Sequence, residues 1–319
     1  MSAAVAIAER QPVARPFLKW AGGKRRLLPQ LFPLLPASVD KLRLVEPFCG
    51  SGAMFFGLAP DRALLADLNT DLIHTYRQVR GGYQDLCEQL EVREREFAAA
   101  RSSDDTYVIK GMERSADAAW YDRLVAAFNQ DALPLLGEEA TLQGSARAAA
   151  FIAINKSCVN GLWRVSRTGD FTTGYCHPRR HGTSVRIFDR EALGAAHHLL
   201  QGNVELQCQS FEETVAACGR GDFVFSDSPY WAVSKTADFD SYTTGRFTAS
   251  QHARLRDELE RAAKRGAKVM VTASFTPAVL ELYSRPGKWD VTVVERQGSM
   301  NSDRSKRGAV KEYVFRSYA

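Results

Sequence analysis

The chain has 319 residues, 45% of them hydrophobic and 25% charged, with a formal net charge of +5 and a pI near 8.9. That is ordinary for a globular protein of one large domain or two, and the mild positive charge permits a polyanionic partner without requiring one. No apolar run approaches the ~20 residues a membrane helix needs. The first fifteen residues are too interrupted for a signal peptide and read as a frayed tail. The cysteines (Cys49, Cys87, Cys158, Cys176, Cys208 and Cys218) are scattered without a Cys-x-x-Cys pair, as in a reduced, cytoplasmic protein.

In chain order, Pro16-Phe17-Leu18-Lys19-Trp20-Ala21-Gly22-Gly23-Lys24 joins an aromatic–apolar pair to two glycines flanked by lysines. Leu44 to Gly52 is an apolar strand running into a Gly-x-Gly turn, and Ala53-Met54-Phe55-Phe56 begins a helix. About 15 residues past the first glycine, Leu64 to Asn69 reads as a second strand ending in Asp67, close to where a nucleotide-binding fold places the acid that holds ribose hydroxyls. These glycines also suit a plain tight turn. The third glycine of the dinucleotide pattern is missing, because Gly57 lies too far along and the helix start is bulky. Pyrophosphate binding is therefore disfavoured, and an adenosine ligand without phosphates fits better, which points to S-adenosylmethionine.

From about 76 to 205 the pattern changes. Long charged amphipathic stretches such as Gln84 to Arg101 predict helices, and the Gly-, Arg- and Thr-rich part from Gly161 to Gly182 suits a hairpin and irregular loop. This shift divides the chain into one domain of residues 1–75 and 206–319, with alternating strand and helix signals, and an inserted domain of residues 76–205. Asp222 to Ser226 is a strand, so Asp227-Ser228-Pro229-Tyr230 stands at its carboxyl end, where open α/β sheets bind ligands. A carboxylate, a proline-stiffened turn and an aromatic ring there can grip a planar amine by accepting its N–H bonds and stacking on its face. As a bare turn the tetrapeptide has equally common residues. Further on, Ser250 to Leu259 predicts a helix with Leu255 and Leu259 at i and i+4. Ala267 to Thr272 is a buried strand, and Trp289–Glu295 and Lys311–Arg316 are a closing pair with a polar, basic loop between them.

Together these segments resemble the DNA adenine methyltransferases of the Dam type (α-group amino methyltransferases), from about Pro16 to about Phe315. The resemblance rests on Phe-Leu-Lys-Trp-Ala-Gly-Gly-Lys, Val-Glu-Pro-Phe-x-Gly-x-Gly, Ala-Asp-x-Asn and Asp-x-Pro-Tyr in this order. It extends to Asn160-Gly161-Leu162-x-Arg164, Gly169-Asp170-Phe171, Ala237-Asp238-Phe239-x-x-Tyr242 and Phe247-Thr248-x-x-Gln251. Two departures stand out. Ser228 replaces the first of two usual prolines, which loosens φ but keeps the carbonyl acceptor, and Val159 replaces an aromatic, so the target sequence is expected to differ.

The resemblance implies an α/β, Rossmann-like class I methyltransferase fold. Its seven-stranded, mostly parallel sheet would carry an inserted, mainly helical target-recognition domain with a hairpin. The implied reaction moves a methyl group from S-adenosylmethionine to the exocyclic amine of a flipped-out adenine in double-stranded DNA, site-specifically or with relaxed specificity. The catalytic set is then Asp227, Ser228, Pro229 and Tyr230, with Tyr242 and Phe239 closing the pocket. The cofactor set is Trp20, Lys24, Glu46, Phe48, Gly50, Gly52, Asp67, Phe211 and Asp227, with Asp67 on the ribose and Phe211 against the adenine ring. DNA contacts fall to Asn160, Arg164, Arg167, Arg179, Arg180 and Lys306, Arg164 being placed to bond guanine in the major groove. Lys156, Arg186, Arg304 and Arg307 are phosphate candidates.

A monomer without a membrane role is expected, with a restriction partner left open. Cys176, His177, His181 and Cys158 match no standard zinc spacing, and no metal is expected. The absence of a Pro-Cys dipeptide argues against cytosine ring-carbon methylation. Two alternatives remain open: methylation of cytosine's exocyclic amine, and a DNA-binding homologue weakened in catalysis.

Overall fold

The computed structural model describes residues 14–109, 111–130, 144–177, 185–231, 247–297 and 309–319. Seven strands form one sheet: β1 (Arg43–Glu46), β2 (Arg62–Asp67), β5 (Asn203–Cys208), β6 (Asp222–Ser226), β7 (Lys268–Ser274), β8 (Asp290–Gln297) and β9 (Ala309–Arg316). Their order is β5-β2-β1-β6-β7-β9-β8, and all run parallel except β9, which is antiparallel to both neighbours. The sequence reading anticipated this Rossmann-like class I methyltransferase sheet. Every residue of central β6 is buried, as a parallel strand covered on both faces requires. In edge strand β5 only Val204 and Leu206 are buried, alternating with exposed or half-buried residues.

The helices are α1 (Leu28–Leu31), α2 (Ala53–Leu58), α3 (Thr70–Gly81), α4 (Tyr83–Ser102), α5 (Ala116–Gln130), α6 (Gly144–Ser157), α7 (Arg190–Leu200), α8 (Phe211–Ala216), α9 (Ala249–Lys264) and α10 (Pro277–Tyr283). Asn69 caps α3 and Asp189 caps α7, while Ser210/Glu213 and Thr248/Gln251 form capping boxes on α8 and α9. The Phe247-Thr248-x-x-Gln251 motif therefore has a local cause: it starts α9.

The composition boundaries at 75/76 and 205/206 fall inside α3 and β5. Between them, α6 packs against α3, α4 and α5, with Phe151, Ile152, Ala153, Ile154 and Asn155 all buried. One hydrophobic cluster runs from Phe17 through α3 and α6 to Ile187 and Phe223, so the central segment shares its core with one face of the sheet. A hairpin missed by the sequence reading, β3 (Thr106–Ile109) and β4 (Met112–Ser115), joins α4 to α5, with Gly111 turning at φ 75°. Its residues are mostly exposed and lack the alternation that reveals a half-buried strand.

The hairpin expected at Gly161–Gly182 begins earlier. Its arms meet through single bridges, Cys158 to Tyr175 and Val165 to Phe171, instead of a continuous ladder. Buried Trp163 anchors it, with ring centroids 4.0 Å from Phe151 and 4.5 Å from Phe171.

Candidate active site

The order of connections reverses between adjacent strands β1 and β6, because β1 leads to β2 on one side and β6 to β7 on the other. The crevice at their carboxyl ends is the topological switch point where such sheets bind ligands. Three chain segments converge there.

The first follows β1. Gly50 and Gly52 take φ of 47° and 65°, in the left-handed region that disfavours side chains. Gly52 N–H closes the turn on the Cys49 carbonyl at 2.7 Å, and Tyr76 Oη donates to the Gly50 carbonyl at 3.1 Å. A Cβ on Gly50 would lie 2.8 Å from the Trp20 indole, so the absent side chain is what lets Trp20 lie on the turn. Asp67, at the end of neighbouring β2, accepts from Gly50 N–H at 3.1 Å and from Asn69 N–H at 3.0 Å. These bonds orient its carboxylate beside the turn, while burial outweighs them and raises its pKa.

Glu46, the last residue of β1, is buried and accepts from Phe55 N–H at 2.8 Å, inside the first turn of α2. Burial pushes its carboxyl up to about 8, with the Asp227 charge adding to the shift.

The second segment is Phe17 to Lys24. Phe17 packs edge-on against Tyr76 and Phe56 at 5.4 and 6.1 Å. The Lys19 main chain is clamped at both polar atoms by the buried Asn155 amide of α6. Lys19 N–H donates to Asn155 Oδ1 at 2.9 Å, and Asn155 Nδ2 donates to the Lys19 carbonyl at 2.7 Å. On its other side lies Gly161, whose missing Cβ would stand 2.4 Å from that of Lys19. The chain then reverses, with Gly23 N–H donating to the Trp20 carbonyl at 3.1 Å and Gly22 at φ 77°, the geometry its glycine supplies. The reversal sends the Lys24 side chain inward, where it is 1% exposed.

The third segment is the tetrapeptide after β6. Lys24 Nζ donates to Asp227 Oδ1 at 2.5 Å, to Tyr230 Oη at 2.8 Å and to the Gly22 carbonyl at 3.0 Å. Thr272 of β7 donates to the same Asp227 oxygen at 2.8 Å. Glu312 of β9, wholly buried, approaches Lys24 Nζ at 3.6 Å. Burial lowers the Lys24 pKa, but the surrounding Asp227, Tyr230 and Glu312 outweigh it and the net shift is upward, so the ammonium persists. For Asp227, burial and Glu312 together outweigh Lys24, because one cation cannot neutralise two carboxylates, and the pKa rises. Tyr230 is also raised, first by burial, and stays a phenol. Ser228 is buried.

Phe48 stacks on Phe211 at 5.6 Å and meets Phe247 edge-on at 5.7 Å, which makes an aromatic wall beside the turn. The structure thus brings together Trp20, Lys24, Glu46, Phe48, Gly50, Gly52, Asp67, Phe211 and Asp227 to Tyr230. Lys24, expected in the cofactor set, stands on the tetrapeptide itself.

Among the residues suggested for DNA, Asn160 is exposed at φ 56° and Arg164 is half-buried on the first hairpin arm. Arg167 is exposed in the Ser166–Asp170 turn, and Arg186 is exposed beyond the hairpin. Arg179, Arg180, His181, Phe239, Tyr242, Arg304, Lys306 and Arg307 lie outside the described residues. Sequence reasoning missed Thr272, Glu312 and Asn155. A lone glutamate in the otherwise strand-like Ala309–Arg316 was the one available signal.

The sheet is that of a class I methyltransferase, with the three segments meeting at its switch point. The chain belongs to the D12 class N6 adenine-specific DNA methyltransferases, whose family model matches residues 20–300. It is 31% identical over 306 residues to the type II methyltransferase M1.LlaDCHI of Lactococcus lactis subsp. cremoris, covering 95% of each chain. It is 29% identical over 298 residues to the DNA adenine methylase of Escherichia coli K12, covering 92% of each. The DNA N-6-adenine-methyltransferase of Escherichia phage P1 is 32% identical over 274 residues, 86% of this chain and 31% of that protein. Adenine in DNA is therefore the methylated base, and neither alternative from the sequence is favoured. No helix among the described residues is long and apolar enough to cross a membrane.

Proposed function

We propose that the chain methylates the N6 amine of adenines flipped out of double-stranded DNA, with S-adenosylmethionine as donor, acting as a monomer in the cytoplasm. The donor fits the residues present. Glu46 is a buried carboxyl whose pKa is raised to about 8, and a bound α-ammonium group would supply the positive partner that returns it to a carboxylate. Asp67 keeps acceptor capacity for a ribose diol beside the close-packed Gly50 turn, and the Phe48–Phe211 wall offers an apolar surface for an adenine ring. When bound, S-adenosylmethionine supplies an activated methyl carbon.

The protein's own part is then placement and charge. Thr272 and Lys24 both bond Asp227 Oδ1, which fixes the carboxylate and leaves Oδ2 for one amine hydrogen. The carbonyl of Ser228 takes the other. These acceptors favour a pyramidal nitrogen and stabilise the positive charge that grows on it, and one N–H proton then leaves through Asp227 to water. Tyr230 stacks on the extruded base and offsets part of the few kcal/mol that flipping costs. The segment 76–205 reads the target, through Asn160, Arg164 and Arg167, with Arg179, Arg180 and Lys306 as further contacts and Lys156 and Arg186 at phosphates.

The observation that carries this reading is the bond of Asp227 to Lys24 and Thr272 at the switch point. The test is purified protein with labelled donor and unmethylated DNA, the product digested and its bases identified. N6-methyladenine should form, and Asp227→Ala should lower the rate by about 100- to 1000-fold. Label incorporated at undiminished rate by Asp227→Ala would remove the proposed site.

A further inference from the structure

Lys24 carries three N–H bonds to give. Asp227 Oδ1, Tyr230 Oη and the Gly22 carbonyl already take them at 2.5 to 3.0 Å. Glu312 Oε2, at 3.6 Å, acts on Lys24 as a charge and not as one of those three acceptors. Both side chains are 1% exposed, so the attraction is little screened by water. Glu312 is an inward residue of antiparallel β9, paired in register with Ser274 of β7 and Val294 of β8. It reaches Lys24 from a different strand than Asp227 does.

Burying a second carboxylate beside a salt-bridged pair costs stability unless something else is gained. The gain lies in the charge count. Lys24 and Asp227 alone sum to zero, and a neutral pair is a poor partner for a nitrogen that becomes positive as it is methylated. An ionised Glu312 brings the sum of these three groups, taken by themselves, to one negative charge.

We infer that Glu312 is a positioning residue for the reaction: it balances Lys24, so that Lys24 can orient Asp227 without cancelling the charge Asp227 presents to the adenine amine. This rests on the reading of Asp227 as the amine acceptor. Among the described residues, the groups around Asp227 are Lys24, Glu46 at the end of β1, Thr272 on β7, Tyr230 and Glu312. Glu312 is among the causes that raise the Asp227 pKa, and Lys24 opposes it.

The decisive comparison is wild type, Asp227→Ala, Glu312→Gln and Glu312→Asp in single-turnover methylation across pH. Carboxyl titrations of the labelled donor-free protein by NMR accompany it. Glu312→Gln keeps shape and loses charge. It should slow methyl transfer at least tenfold with the KM for DNA within about twofold, and move the acid limb and the Asp227 titration to lower pH. Glu312→Asp should recover most of the rate. A folded Glu312→Gln with the wild-type rate and an unmoved acid limb overturns the inference. So does a Glu312 that titrates as protonated in wild type at the assay pH, a readout that stands even where the variant fails to fold. Loss of rate in Asp227→Ala together with full rate in Glu312→Gln sinks only this inference. Full rate in Asp227→Ala sinks the underlying site reading as well.

Discussion

Replacing Asn155 with alanine removes both hydrogen bonds that hold the Lys19 main chain, the N–H at 2.9 Å and the carbonyl at 2.7 Å. A peptide group left without its partner in a partly buried place costs ~1–3 kcal/mol. Two such groups, discounted because Lys19 itself is exposed, put the loss at about 2–4 kcal/mol. At roughly 2–4 °C per kcal/mol for a large domain, the melting temperature should fall by about 4–16 °C. Thermal unfolding followed by circular dichroism, with urea titration for the midpoint, measures it. Asn155→Asp is the informative companion, because its carboxylate still accepts from Lys19 N–H but cannot donate to the carbonyl, and it should be destabilised too. A loss under about 0.5 kcal/mol in the alanine variant, the size of an ordinary surface change, would refute the reasoning. The strap would then be held by Phe17 and Leu18 in the core.

Three further outcomes are expected. Gly50→Ala forces a side chain into left-handed backbone at about 1–2 kcal/mol and within 2.8 Å of the Trp20 ring. Binding of S-adenosylhomocysteine, followed by calorimetry, should weaken tenfold or more, and an unchanged Kd would show that the turn does not shape the pocket. Glu46 has its carboxyl raised from 4.5 to about 8, so the folded state holds the proton more tightly than the unfolded one, and stability falls as pH rises between those values. In the ligand-free protein the slope is of order 1 kcal/mol per pH unit in that window. Glu46→Gln should flatten it, and parallel curves for the two proteins would contradict the assignment. Lys156 is lowered to about 8, by burial first and then by the nearby Lys19 and Arg15 charges. Its charge fades as pH rises through 8, so DNA affinity should fall there. Lys156→Met should remove that dependence and cut the slope of log K against log salt by about 1, and an unaltered slope would take Lys156 off the phosphates.

Much of the chemistry is local and is legible in the chain alone. The β-branched and aromatic run Phe223-Val224-Phe225, between Asp222 and Ser226, reads as a covered strand, and the carboxylate, proline and tyrosine directly after it then land at the strand's end. Gly50 and Gly52 announce a turn because few other residues tolerate its φ values. Alternating strand and helix signals mark an α/β domain, and the methyltransferase fold and family follow from the resemblance carried by short motifs.

What the sequence could not reveal depends on residues far apart in it. Lys24 and Asp227 are separated by 203 positions and Lys19 and Asn155 by 136, and no periodicity or turn rule links such pairs. Along the chain Glu312 is one charge on a late strand, and it is the threading of β9 between β7 and β8 that turns it toward Lys24. The exposed β3–β4 hairpin lacks the apolar–polar alternation of a half-buried strand, and its Thr106-Tyr107-Val108-Ile109 run with Gly111 after it is the only local sign. Side-chain sterics and hydrophobic period act over a few residues and are written in the chain itself. Charge pairing and hydrogen bonding act between whichever groups packing brings together, and for Lys24, Asp227 and Glu312 only the assembled sheet decides that.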